Sequence, residues 1–110
     1  MHLEMDTFTS ELLALEKALI GENELKFAGL VRSAIDGLEA FRIEFLKSNE
    51  LWGGPGSIAD QAGIEGGRAG RRKIESALVQ LGLLQIRESI INERTEMWVL
   101  AFHEWDCEGI

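Results

Sequence analysis

The stretch IESALVQLGLLQI, residues 74–86, carries two stripes of apolar residues at helical spacing. The first stripe consists of Ile74, Ala77, Leu78, Leu81 and Leu84, and the second consists of Val79, Leu83 and Ile86. A helix that is apolar on two sides is typical of the centre of a helical bundle. The stretch therefore predicts a central helix, and Gly82 either lies inside it or ends an early segment.

The amino-terminal half predicts further helices that would pack around this one. The residues with the 3,4 spacing of one helix face are Met5, Phe8, Leu12, Leu15 and Leu19. Gly21 then ends the first helix. Residues 25–46 continue the helical spacing, but Gly29 and the Asp36–Gly37 pair interrupt it, and each interior glycine weakens a helix by roughly 1 kcal/mol relative to alanine. We expect two helices here, at about 24–35 and 37–48, with one long kinked helix as the alternative.

The last segment, NERTEMWVLAFHEW, residues 92–105, is compatible with either a strand or a helix. Its apolar residues alternate as in a strand, yet Trp98, Ala101, Phe102 and Trp105 also follow the i, i+3, i+4, i+7 spacing of a helix. The helix is favoured because an isolated hairpin would be only marginally stable. At this spacing the aromatic side chains are more typical of a core than of an exposed binding patch.

Between the two halves lies LWGGPGSIADQAGIEGGRAGRRK, residues 51–73, which holds seven of the twelve glycines and the single proline. It does not match a phosphate-binding loop, which needs a preceding strand and a Lys-Ser or Lys-Thr pair. The stretch predicts a shaped connector in which Ser57 caps a short helical turn. The alternative is a ligand-binding or catalytic site within residues 51–68, lined by Ser57, Asp60 and Arg68. Altogether the chain predicts an all-α, single-domain bundle of four to five helices over residues 1–110, with an irregular loop at about 50–69.

The charge of the chain restricts its partners. Nineteen acids against eleven Lys and Arg give a net charge of −8, which disfavours nucleic acid and anionic membranes and favours a basic protein partner. One cysteine, no long apolar run and an acidic amino terminus favour the cytoplasm. The basic cluster RAGRRK, residues 68–73, is more typical of pairing with nearby acids than of nucleic-acid contact.

The only cysteine raises the question of thiol or metal chemistry. On a helix His103 and Cys107 are four residues apart and could share a ligand, but zinc requires three or four ligands and the second histidine is His2. The acidic surroundings also disfavour a reactive thiolate. We therefore predict no catalytic residues, no metal and no cofactor.

Two phrases, FLKSNELWGGPGSIADQAG (residues 45–63) and INERTEMWVLAFHEW (residues 91–105), resemble a family of small, acidic bacterial proteins with an SNELWGG-G-SIAD segment. Such proteins often accompany polymorphic or contact-dependent growth-inhibition toxins as immunity partners. The resemblance implies a set of signature positions with no assigned role: Leu51, Trp52, Gly53, Gly54, Ser57, Ile58 and Asp60. It implies a binding protein without enzymatic activity, which neutralises a basic toxin such as a nuclease.

An acidic inhibitor would meet such a toxin through exposed carboxylates, because opposite charges speed association. The acids that fall outside the apolar stripes, and are therefore expected to be exposed and partner-binding, are Glu22, Glu24, Glu104, Asp106 and Glu108. The expected partner is a cognate toxin domain, bound by a monomer or a homodimer. A structural or regulatory homodimer joined through the aromatic helix face is a third hypothesis.

Overall fold

A computed structural model describes residues 5–108, apart from the side chains of Met5 and Glu65. Its helical elements follow one another along the chain as α1 (Met5–Gly21), α2 (Leu25–Asp36), α3 (Glu39–Leu46), α4 (Asn49–Trp52), α5 (Ile58–Gln61), a 3-10 turn (Ile64–Gly66), α6 (Gly67–Arg87) and α7 (Thr95–Cys107). The predicted all-α class is confirmed for these residues, among which there is no strand. None of the helices described is both long and apolar enough to cross a membrane.

Two finer expectations are not confirmed. The glycine-rich stretch is not an irregular loop over residues 50–69, because α4, α5, the 3-10 turn and the start of α6 lie within it. For the same reason four to five helices is too few: residues 5–108 contain seven α-helices and one 3-10 turn. The extra helices α4 and α5 have four residues each, which is too short for a periodic apolar pattern.

The stripe of α1 forms one side of the core. Phe8, Leu12, Leu15 and Leu19 are all fully buried, as their spacing predicts, and the helix packs against α2 and α6. Burial of each such side chain stabilises the fold by about 1.5–3 kcal/mol. α1 therefore packs against one helix from each half of the chain.

Residues 25–46 form two helices, as predicted, and Arg42 explains how the break is stabilised. The chain is extended at Gly37, where α2 ends. The guanidinium of Arg42 donates to the carbonyl oxygens of Ala34 (3.0 Å), Ile35 (2.7 Å) and Gly37 (3.3 Å). It thereby satisfies carbonyls at the end of α2 that have no partner within the helix.

The central helix α6 packs against α1, α7 and the 3-10 turn. Gly82 lies inside it and lets α7 approach closely. A Cβ atom at Gly82 would lie 2.3 Å from Val99 Cγ2 and 3.2 Å from Trp52 Cη2, so a larger residue would force these neighbours apart. The last segment is a helix, Thr95–Cys107, as the i, i+3, i+4, i+7 spacing favours.

Candidate functional site

The signature residues Leu51 and Trp52 are fully buried, and Trp52 makes a polar contact inside the core. Its indole Nε1 donates to Gln85 Oε1 at 3.0 Å. The amide nitrogen of Gln85 donates in turn to the carbonyl oxygens of Leu46 and Ile90, at 2.7 Å each. Buried polar groups are tolerated when they are paired in this way. These two signature residues are therefore part of the core.

The rest of the signature builds the start of α5. The hydroxyl of Ser57 accepts from the amide of Asp60 at 3.1 Å and donates to the carbonyl oxygen of Gly53 at 2.7 Å, which is the capping role predicted for it. The carboxylate of Asp60 accepts from Gln61 Nε2 at 2.7 Å and from the amide of Gly56 at 3.2 Å. These two hydrogen bonds, that of Gln61 first, lower the pKa of Asp60. A set of local contacts thus holds the turn in one shape.

Of the three remaining signature residues, Ile58 and Gly53 are explained by packing. Ile58 is fully buried. A Cβ at Gly53 would lie 2.5 Å from Asn49 Cβ, whereas one at Gly54 would meet no atom within 4 Å. Gly53 is therefore required by a close approach, and no contact explains Gly54.

Arg71, in the basic cluster, fixes the glycine-rich stretch to α6. Its guanidinium donates to the carbonyl oxygens of Ala59 and Ala62 and to Glu75 Oε2, the last at 2.9 Å. The same group lies 5.3 Å from the ring centroid of Phe102 on α7. Burial raises the pKa of Glu75, and the charge of Arg71 opposes this rise. The cluster thus contributes a structural cation, since Arg71 joins three elements.

A cavity of about 470 Å³, here called the indole pocket, lies between the 3-10 turn, the start of α6 and α7. It is lined by Asp60, Ile64, Gly67, Arg68, Arg71, Glu75, Trp98 and Trp105. The two tryptophans are half-buried, whereas Phe102 between them is in the core, so the aromatic set is only in part the core that its spacing predicts. The Trp98 ring stacks on Phe102 at 5.2 Å, and Phe102 meets Trp105 edge-on at 5.7 Å. Of the three polar residues expected to line a site in the glycine-rich stretch, Asp60 and Arg68 line this pocket and Ser57 does not.

The five acids expected to be exposed fall into two groups. Glu104, Asp106 and Glu108 are exposed at the end of α7, where Asp106 also lies 3.7 Å from Arg72. Glu22 and Glu24 are half-buried in the turn between α1 and α2, so the expectation of full exposure is wrong for these two.

The reason is a contact between this turn and the start of α6. Glu24 Oε1 accepts from the amide of Gly63 at 3.3 Å. Glu22 Oε1 lies so close to α6 that a Cβ at Gly70 would be 1.9 Å from it, and one at Gly66 would be 2.5 Å away. A carboxylate is favoured beside the positive end of a helix dipole. The sequence could not predict this contact, because Gly66 and Gly70 are far from Glu22 along the chain.

Residues of α6 and α7 also line a separate open cavity of about 520 Å³, here called the α6–α7 groove. Its residues are Val79, Leu83 and Ile86 of α6 and Glu96, Val99, Leu100 and His103 of α7. The three residues of α6 are the second apolar stripe of residues 74–86. This stripe is only partly covered: Val79 and Ile86 are half-buried and pack against the core, whereas Leu83 keeps 49% of its surface exposed and Leu100 across the groove keeps 59%.

His103 and Cys107 are neighbours on α7, as their spacing predicts, with 3.8 Å between His103 Nε2 and Cys107 Sγ. Both side chains are exposed. Among the described side chains, no three of His, Cys, Asp or Glu are grouped so as to hold a metal ion.

Comparison of the chain with protein-family models, with curated proteins and with solved structures finds no match in any of the three.

Proposed function

We propose that this protein is an immunity-type protein of the bacterial cytoplasm, which binds and neutralises a basic toxin such as a nuclease. The observation that supports this most is the outer face of α7. There Glu104 and Glu108, one turn apart, are exposed close to the exposed apolar residues Met97 and Leu100, while Asp106 is exposed on the side of the helix that faces Arg72. A surface that combines carboxylates with apolar side chains suits a basic protein better than it suits a nucleic acid.

Such a protein needs no chemistry of its own. An acidic inhibitor is attracted to the basic active-site cleft of a toxin, and once bound it blocks access of the substrate. The net charge of −8 adds a long-range attraction to that of the local acids. The role fits a monomer or a homodimer equally well.

The experiment is co-purification with a toxin domain encoded beside the gene, followed by stopped-flow measurement of association at several salt concentrations. The test variant is Glu104→Gln/Asp106→Asn/Glu108→Gln. We expect its association to be slower and less dependent on salt than that of the wild type, because rim charges act mainly on the association rate.

The matched control is Glu39→Gln/Glu44→Gln/Glu50→Gln, which removes the same number of exposed carboxylates from α3 and α4. It separates the local effect of α7 from the effect of total charge. Equal rates in the two triple variants would contradict the placement on α7, and the absence of any bound toxin would contradict the function itself.

The indole pocket favours a second candidate function, the binding of a small ligand. Two half-buried indole rings beside Asp60 and Arg68 resemble the mostly apolar cavities, with a few polar groups, that bind small molecules. The test is titration with the aromatic anion 8-anilino-1-naphthalenesulfonate, comparing the wild type with Trp105→Leu. Fluorescence enhancement that is lost in the variant supports this candidate, and an equal enhancement in both proteins argues against it.

A further inference from the structure

The α6–α7 groove exposes residues whose sequence pattern is that of a buried surface. The fold buries most of the first apolar stripe of α6 and covers the second only in part, since Val79 and Ile86 are half-buried and Leu83 between them is exposed. Across the groove, Val99 is buried while Leu100 projects from α7 with more than half of its surface exposed. A contiguous apolar surface of this kind is typical of a site where another molecule binds.

The dimensions of the groove suit a helix. Val79, Leu83 and Ile86 occupy two turns of α6, a length of about 10 Å at 1.5 Å per residue. An amphipathic helix presents its anchors at i, i+3 or i+4, and i+7, which covers the same length. The cavity of about 520 Å³ is large enough to hold several apolar side chains.

The charge around the groove decides which helix would bind. Among the lining residues that the structure describes, Glu96 is charged at neutral pH and none is Lys or Arg. Glu104 follows Leu100 by one turn of α7 and is exposed. On α6, Arg87 lies one turn beyond Leu83, but it is 3.5 Å from the carboxylate of Glu88. The rim is therefore acidic on the side of α7, and it complements a helix that carries Lys or Arg beside its apolar face.

We propose that the α6–α7 groove is the docking site for a basic amphipathic helix of the partner protein. This inference rests on the proposed function in one respect, namely that the partner is the toxin. A second copy of the chain is a poor occupant, because it would bring the acids of α7 and a second net charge of −8 to the same interface. The apolar stripe supplies the affinity of the contact, and the acidic rim selects the sign of the partner's charge.

The probe is a fluorescein-labelled synthetic peptide of about 14 residues, or four helical turns, with leucine at the anchor positions and lysine elsewhere. Its binding to the full chain is measured by fluorescence anisotropy. The test variant is Leu83→Ser/Leu100→Ser. We expect it to bind about tenfold more weakly or worse, because a few buried anchors dominate the affinity of such contacts.

Two controls isolate the groove. Leu38→Ser removes a leucine that is 82% exposed but lies outside the groove, and it should leave the affinity unchanged. Glu96→Gln/Glu104→Gln keeps the apolar surface and should weaken peptide binding most at low salt. Its matched control is Glu39→Gln/Glu44→Gln, which removes two exposed acids elsewhere. The charge variants retain every apolar contact of the fold, so they test the site even if the leucine pair impairs folding.

The inference is overturned if the wild type does not bind the peptide, if neither the leucine pair nor the Glu96/Glu104 pair weakens binding, or if a glutamate version of the peptide binds equally well. It is also overturned if sedimentation shows a homodimer that the leucine substitutions dissociate, because a second copy would then fill the groove. Failure of the proposed function is distinguishable: the peptide would still bind in the groove while no toxin was captured. If the groove inference fails while the proposed function holds, the toxin would bind the Leu83→Ser/Leu100→Ser variant as well as it binds the wild type.

Discussion

The indole N–H of Trp52 and the side-chain amide of Gln85 form a hydrogen bond in the middle of the core, between residues 33 positions apart in the chain. Through its own N–H groups Gln85 also holds the carbonyl oxygens of Leu46 and Ile90. A single buried side chain therefore joins the end of α3, the start of the glycine-rich stretch, α6 and the segment before α7. This network explains why a large polar amide occupies a fully buried position of α6.

Replacing Gln85 with leucine should destabilise the protein strongly. The substitution leaves the Trp52 N–H and two carbonyl oxygens without partners, and we expect a loss of at least about 3 kcal/mol because each of these three unpaired buried groups costs about 1–3 kcal/mol. Urea unfolding followed by circular dichroism gives the value. Gln80→Leu, an exposed change on the same helix, should stay near the wild type. Equal midpoints for the two variants would contradict the role of the network.

Alanine should have opposite effects at two helical glycines. At Gly82 the new methyl group would collide with Val99, and such overpacking costs about 1–3 kcal/mol. At Gly29, inside α2, a Cβ meets no atom within 4 Å, so alanine should stabilise the helix by about 0.5–1 kcal/mol. Thermal unfolding of both variants checks the pair. A stabilised Gly82→Ala protein would show that α7 does not approach α6 as described.

Asp60 should make stability depend on pH in the acid range. Its pKa is lowered in the folded protein, whereas in the unfolded chain it stays near the ordinary value of 3.8. The unfolded state therefore binds the proton first, and the stability that Asp60 contributes is lost as the pH falls from about 3.8 through the lower folded value. Asp60→Asn should show a shallower loss of stability over this range in urea unfolding. An identical slope for the two proteins would mean that the hydrogen bonds to Asp60 do not persist in solution.

Glu22 should matter for stability and not for partner association. Its carboxylate lies against the amino end of α6, so Glu22→Gln should destabilise the protein by about 0.3–1 kcal/mol. Glu44→Gln, an exposed charge on α3, is the control for the general effect of removing one negative charge. A larger loss for Glu22→Gln than for Glu44→Gln, measured by urea unfolding at low salt, is the expected result. The reverse order would contradict a stabilising contact of Glu22 with α6, and Glu22 would then count as an ordinary surface acid.

Periodic helices could be predicted from the sequence because their evidence is local. The stripe from Phe8 to Leu19 and the aromatic spacing from Trp98 to Trp105 each identify one helix without reference to the rest of the chain. The cap at Ser57 was also predictable, since a serine accepts a backbone N–H from a residue three positions later.

The surfaces could not be predicted in the same way. Glu22 and Glu104 look alike in the sequence, and the close approach of the turn to Gly70 leaves Glu22 half-buried while Glu104 is exposed. The indole pocket likewise depends on tertiary structure, because Asp60 and Trp98 come from distant parts of the chain. The second stripe of α6 was visible in the sequence, but its exposure depends on where α7 packs.

The attachment of the glycine-rich stretch at two points has a consequence for its motion. Trp52 holds its beginning in the core, and Arg71 holds the carbonyl oxygens of Ala59 and Ala62 in its middle. Opening of the stretch would therefore break the core, so its buried amides should exchange with deuterated water only as slowly as the whole molecule unfolds. The tip at Pro55 and Gly56 is exposed and lies between these attachments. Limited proteolysis between the two attachments should therefore cut at this tip, and the two fragments should remain associated after cleavage.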